Sequence, residues 1–481
     1  MNMFDHNLNH TTARRQFLSE TATGLGAIAL ADLFIRESGT SGAERGVINR
    51  LPHRARAQRC IHIFSPGGVS QVDTFDYKPE LSIQDGKKMT GKGQIDPFFG
   101  QIGVLRKSYY AFKQHGQSGS WVSSLLPHLS SCVDDLTFFH TLVTRSSSHT
   151  PACFQMNTGS TMSGFPSLGA WLSYGLGTVN HQLPSFVILP DYRGLPNGGS
   201  NNWTQGFLPA QHQGTSFSAD SELGTLSNLR TPLSVTDSQR RDSLDLLRQF
   251  NIEFADRNPG TSELAARVRS YELAAQMQVS VPEATEFRDE TEQTLALYGI
   301  DNPVISRSAQ NYLLGRRLLE RGVRFVQIYN GGALGSPRIN WDAHEDVKRN
   351  HTNQAIHLDQ PCAALIQDLK QRGMLEDTLV VWTSEFGRTP FTQGDTSLGR
   401  DHHPLTFTGW MAGAGLKSGY HHGNSDELGY LPGDNPVSIY DFHATILHLL
   451  GINHEQLTYY HNGLNRRLTD VHGKVVKEVL A

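Results

Sequence analysis

Six short apolar runs, each ending in turn-forming or polar residues, constrain the fold more than any other feature of the sequence. The first, in "RCIHIFSPGG", stops at Gly67 and Gly68; the others cover residues 136–143, 186–189, 323–329, 378–383 and 405–411. Apolar runs of about four to eight residues with such punctuation read as strands buried on both faces. Helical patterns lie between them. Ile356, Ala363, Ile366 and Leu369 keep a helical spacing that Gly373 closes, and residues 263–279 and 308–321 precede the run "VRFVQIY". Strands alternating with helices of about ten residues or more predict an α/β chain, a three-layer α/β/α sandwich with a mostly parallel central sheet. Ligands of such a sheet gather beyond the carboxyl ends of its strands, so the loops after these runs are where chemistry is expected.

The chain has 481 residues, a formal charge of −4 and no Lys- or Arg-rich block, so neither a nucleic-acid footprint nor a polybasic membrane patch is present. Its 4 cysteines are too widely spaced for a CxxC knuckle or a dense disulfide framework, and Cys60 and Cys362 fall inside apolar segments as buried thiols. At the N-terminus, "TTARRQFLSETATGLGAIALADLF" pairs Arg14 and Arg15 with Phe17 and Leu18 ahead of an apolar stretch. This resembles a twin-arginine export signal over residues 1–35, followed by a linker at 36–58 and a single domain at 59–481 with a polar, Gly-rich insert around 191–242. The apolar stretch is shorter than the roughly 20 residues of a membrane span. A periplasmic or secreted location is expected, with export by the twin-arginine machinery. Such signals carry proteins that fold, often with a metal loaded, before export.

Three clusters follow apolar runs closely enough to share one rim. "NWDAHED" carries Asp342 and His344, "TSEFGRTP" carries Glu385 and Arg388, and "GRDHHP" carries Asp401, His402 and His403. Imidazoles and carboxylates gathered on loops are the usual ligands of zinc-type and manganese-type ions, which acidify water and polarise phosphoryl or sulfuryl oxygens. Asp73, just past the first run in "SPGGVSQVDTFDYKP", is a further candidate ligand or else a turn cap. Taken singly, each cluster reads as well as a turn with solvated imidazoles. In "DFHATILHLL", Asp441 reads as a helix N-cap and His443 and His448 as polar positions beside an apolar face.

The order of these features resembles the alkaline phosphatase and sulfatase superfamily. "SSSHTPACFQMNTG" keeps the frame of the helix on which sulfatases carry Cys-x-Pro-x-Arg and then Thr-Gly, with Pro151 at the proline, His149 at the nucleophile and Cys153 at the arginine. "VVWTSEFGRTP" is similar to the segment "TSDHG", placing Glu385 at a metal-binding aspartate and Phe386 at a histidine. More closely, "FSPGGVSQVDTFDYKP", "GFLPAQHQGT", "RLLERGVRFVQIYNGG", "GRDHHP" and "DFHATILHLLG" look like the secreted, sulfatase-like family catalogued as domain of unknown function 1501.

The resemblance implies an alkaline-phosphatase-like fold and a metal-dependent hydrolase of a sulfate or phosphate ester, with a sulfated glycan or another anionic ester as partner. Asp342, His344, Glu385, Asp401, His402, His403 and Asp73 are the expected metal ligands, and Arg388 the residue that binds the anionic group. His149 cannot become a formylglycine, so it is expected to act as nucleophile or general base; a neutral imidazole is favoured at a helix N-terminus. The cofactor is expected to be one divalent ion, of the zinc, calcium or manganese kind, because Phe386 removes a ligand of the two-ion site. Two other readings stand beside this one: a catalytically degenerate binding or scaffold protein, and an enzyme in which His149 is itself a metal ligand.

Overall fold

The structure, a computed structural model, describes residues 46–92, 97–98, 101–180, 182–217, 236–257, 284–332 and 338–481. The export signal and the helix expected at 263–279 lie outside the described residues. Gly46–Ala481 form one compact unit.

Fourteen strands carry the argument: β1 (Arg59–Phe64), β2 (Ile102–Leu105), β3 (Phe112–His115), β4 (Ser120–Ser123), β5 (Leu136–Val143), β6 (Phe186–Leu189), β7 (Thr215–Ser216), β8 (Phe325–Tyr329), β9 (Thr378–Thr383), β10 (Gly387–Gln393), β11 (Arg400–His403), β12 (Phe407–Ala412), β13 (Tyr420–His422) and β14 (Val437–Ser438). The central sheet runs β13-β5-β12-β9-β1-β8-β6-β7, with β14 also on β5. Only β12 is antiparallel to its neighbours; β9, β1, β8, β6 and β7 pair in parallel, as do β13 and β14 with β5. Each predicted strand is present, with the runs at 323–329 and 405–411 trimmed to β8 and β12.

Alternation along these strands builds two cores. Ile61, Ile63, Val326, Ile328, Val380 and Trp382 face helices Ser306–Glu320 and Asp359–Gln371. Cys60, Phe64, Phe325, Tyr329, Leu379 and Val381 face helices Leu168–Leu176 and Ile439–Leu449. Side chains point alternately to the two faces of a strand, so the sheet needs helices on both sides, and the three-layer α/β/α sandwich follows.

Several expectations are adjusted. Within the segment read as a linker, Val47 and Ile48 donate to the carbonyls of Tyr174 and Gly175, and Arg56 and Ala57 to that of Leu449, so this stretch is tied to the domain. The polar insert supplies the edge strand β7 and the start of helix Asp237–Arg257. Ser438, not Asp441, caps helix Ile439–Leu449; Asp441 is the reciprocal partner three residues on, in a capping box.

Candidate metal centre

The centre lies where β1, β5, β8 and β9 end, the rim expected of a parallel sheet. After β5, the chain starts helix His149–Thr158, with Ser148 at the N-cap, Pro151 in the first turn where its missing N–H costs nothing, and Gly159 in the left-handed conformation at the C-cap (φ 73°). The loop after β8 brings Asp342 and His344, β9 leads directly to Glu385, and His402 comes from β11, in a small antiparallel sheet of β11, β10 and β2. Gly67 allows these loops to meet: at φ 118°, a Cβ there would lie 2.4 Å from the Asp342 backbone nitrogen.

His149, Asp342, His344 and His402 each offer one ligand atom, all within 4.8 Å of one another. Nε2 of His344 lies 2.8 Å from Asp342 Oδ1, and Nε2 of His149 and of His402 each lie 3.4 Å from it. The Nε2 atoms of His344 and His402 are 2.9 Å apart. All four residues are buried except His344, which is partly exposed.

Each imidazole has its other nitrogen fixed by an acceptor. His149 Nδ1 donates to Glu385 Oε1 (2.7 Å), His344 Nδ1 to Gln393 Oε1 (2.6 Å) and His402 Nδ1 to the carbonyl of Ser147 (2.6 Å). A neutral ring that donates through Nδ1 keeps a lone pair on Nε2. Three lone pairs therefore converge on a carboxylate oxygen, an arrangement that repels itself until a cation enters. His149 Nε2 is also buried with no hydrogen-bond partner. A buried nitrogen left in this state is costly, and a ligand bond would satisfy it. Tetrahedral zinc with bonds of about 2.0–2.1 Å separates its ligands by about 3.3 Å, comparable to the 2.8–3.4 Å from Asp342 Oδ1 to the three rings, with all four atoms inside 4.8 Å. The residues fit a divalent ion.

Charge follows the same pattern. Burial opposes ionisation of Asp342, but the Arg388 guanidinium outweighs it and holds the carboxyl far below the ordinary carboxylate range. Burial lowers the basicity of His149, yet the carboxylates of Glu385 and Asp342 beside it leave its pKa raised. Burial, with Arg388 and His149 nearby, pushes His402 down to about 2.

The other expected residues take different places. Glu385 accepts from Gly67 N (2.8 and 3.0 Å), Ser384 Oγ (3.0 Å) and His149, so its oxygens orient the His149 ring, and it is not among the four grouped residues. Arg388 is fully buried, and its guanidinium is committed to the carbonyls of Gly67, Gly68 and Arg400 and to Asp342 Oδ1 (2.7 Å). It braces Asp342 and presents no face to an anion. Asp401 lies 4.0 Å from His344 Nδ1 and accepts from the His402 backbone N–H. His403 points to the opposite face of β11, where Nε2 meets the Tyr430 carbonyl (2.5 Å). Asp73 forms a buried ion pair with Arg400 (2.8 Å) and accepts from Ser70, Ser108 and Tyr109, away from the four.

Sequence reasoning missed Gln393, Ser147 and Arg338. The first two act through an amide oxygen and a backbone carbonyl, which no motif marks. Arg338 bonds Asp342 Oδ2 from four residues upstream, and that charge spacing was readable. Phe386 packs 5.0 Å from the His149 ring and 4.6 Å from His402, and Phe98 stacks on His402 at 4.8 Å.

No curated protein matches the chain in sequence. Among solved structures it is similar in layout to the PsFucS1 sulfatase of a Pseudoalteromonas species, at 15% identity and TM-score 0.33 over 84% of this chain and 69% of that one. It is likewise similar to the lipoteichoic acid synthase LtaP of Listeria monocytogenes, at 10% identity and TM-score 0.34 over 85% and 76%, and to the phosphonate monoester hydrolase SpPMH of Silicibacter pomeroyi, at 11% and 0.33 over 68% of each chain. The model of the family described as Protein of unknown function (DUF1501) matches residues 57–480, and the chain belongs to that family.

Proposed function

We propose that this protein is a metal-dependent hydrolase of a sulfate or phosphate ester, such as those of extracellular polysaccharide, exported through the twin-arginine pathway to the periplasm or beyond. The observation that carries the reading is the convergence of three imidazole Nε2 atoms on Asp342 Oδ1. Three nitrogens and one carboxylate oxygen suit an ion of the zinc or manganese kind and not calcium, which takes six to eight oxygens. One ion accounts for all four ligands.

A divalent ion held there supplies a Lewis acid to an ester oxygen and lowers the pKa of water. The chain does the rest. Glu385, Gln393 and the Ser147 carbonyl hold the three rings with Nε2 inward. Arg388 fixes Asp342 as a carboxylate. Phe386 and Phe98 cover the rings and limit bulk water. With His149 used as a ligand, no side chain of the set is left as a covalent nucleophile, so the ester would be cleaved by water directly: the water oxygen would bond the sulfur or phosphorus as the bond to the ester oxygen breaks, and a water proton would leave with the alcohol. A second reading rests on the same ligand count: four protein ligands close a tetrahedral shell, as in structural sites, which suits a binding or scaffold protein.

Metal analysis of the purified chain, followed by aryl sulfate, phosphomonoester and phosphodiester assays of wild type and His149→Ala, separates these. One ion per chain is expected, with its affinity lowered more than about 100-fold in His149→Ala, beyond the loss typical when a ligand's own hydrogen-bond partner is removed. Absence of a bound ion would rule out the hydrolase. A bound ion without turnover would favour the scaffold.

A further inference from the structure

Arg338 stands at the edge of the centre and is held by two carboxylates of different character. One guanidinium nitrogen bonds Asp342 Oδ2, the oxygen that faces away from the three imidazoles. Its other edge is taken by Glu345, with Nε at 3.0 Å from Oε2 and Nη2 at 2.7 Å from Oε1. Asp342 is buried, whereas the Glu345 side chain is 60% exposed and that of Arg338 28%. The two contacts therefore differ in permanence. The bond to Asp342 sits in a dry site and anchors the guanidinium one carboxylate away from the proposed ion. The fork-to-fork pair with Glu345 faces water, where such pairs contribute little and are screened by salt.

A planar fork filled by a carboxylate is the geometry that also receives a sulfate or phosphate group through two parallel N–H···O bonds. Arg388, the other guanidinium on Asp342, has no such edge to offer because its donors end on backbone carbonyls. We propose that Arg338 is the anion-recognition residue of the centre and that Glu345 is a built-in competitor, occupying the fork until a tetrahedral oxyanion displaces it. The proposal rests on the metal-site reading above and deepens it. It places the charge of a sulfate or phosphate group beside Asp342, and it makes affinity depend on a surface carboxylate that touches none of the four proposed ligands except through Arg338.

The test uses the full chain loaded with zinc, titrated calorimetrically with inorganic sulfate and with inorganic phosphate. Arg338→Ala is expected to weaken anion binding about tenfold or more at saturating zinc, and also to lower zinc affinity by up to about 10- to 100-fold because its bond to Asp342 is lost. Glu345→Gln, an exposed change, is expected to tighten anion binding several-fold, with a steeper dependence on added salt because salt no longer also weakens a competing carboxylate. Zinc uptake with sulfate and phosphate affinities indifferent to both substitutions would overturn this inference alone, as would weaker binding in Glu345→Gln. Failure of the wild type to take up zinc would sink the metal-site reading and this inference together.

Discussion

Glu385 illustrates how a residue can sit in the expected place and do a different task. It emerges directly from β9, as its position in "VVWTSEFGRTP" implied, but its oxygens are used by Gly67, Ser384 and His149. Its contribution is to keep the proton on His149 Nδ1, so that Nε2 presents its lone pair. Glu385→Gln puts an amide where three donors converge, and at least one donor loses its acceptor. Metal affinity is expected to fall about 10- to 100-fold and stability by about 1–3 kcal/mol, read by competition with a chromophoric chelator and by denaturant unfolding. Retention of full affinity would remove Glu385 from the centre. Near it, Cys153 lies one helical turn beyond His149, and burial together with Glu385 keeps its thiol well above the ordinary range. It is inert as a nucleophile.

Strand geometry decides between His402 and His403. Both are buried, and adjacent positions on β11 face opposite ways, so His402 joins the group with His149, Asp342 and His344 while His403 stacks on Tyr430 at 4.6 Å. Register places them: Arg388 pairs with His402 and Gly387 with His403. His402→Ala is therefore expected to lower metal affinity by more than about 100-fold. His403→Ala should leave metal uptake near wild type and cost about 1–3 kcal/mol through lost packing and an unpaired carbonyl. Metal titration of both variants checks this, and the reverse ranking would mean that β11 is out of register. The sequence "GRDHHP" signalled a ligand-bearing segment but not which imidazole, because periodicity reports a face only when one side of the strand is polar, and here both are buried.

Across the molecule, burial of neutral histidines ties stability to pH. Burial pushes His62 down to about 3, with His443 adding to the effect, and pushes His443 itself down to about 4. Burial likewise takes His351 down to about 3. Each is neutral in the folded chain and protonated in the unfolded chain once the pH is below about 6.5. Between there and about 4, the unfolded state binds more protons, so stability falls as pH falls and is fully present above 6.5. Tm is expected to drop by roughly 5 °C or more from pH 7 to pH 5, measured by calorimetry on the metal-free chain. A flat profile would contradict the neutral, buried state of these rings. The six strands, the helices Ser306–Glu320 and Asp359–Gln371, and the rim could be read from the sequence because each depends on local periodicity: apolar runs of β length, helical spacing between them, and glycines where the chain turns; Ile356, in phase with Asp359–Gln371, instead closes the preceding helix Val347–Ala355. Pro151 and Gly159 likewise marked the helix that starts at His149. What local pattern could not supply was distance. His149 and Asp342 are 193 positions apart, yet they meet because β5, β8 and β9 point the same way in one sheet. Only the tertiary structure could assign Asp73 to Arg400, Arg388 to backbone carbonyls and Arg338 to the edge of the centre. A charged side chain carries the same chemistry wherever it lies in the sequence, and its role is set by which partners the folded chain brings within hydrogen-bonding reach.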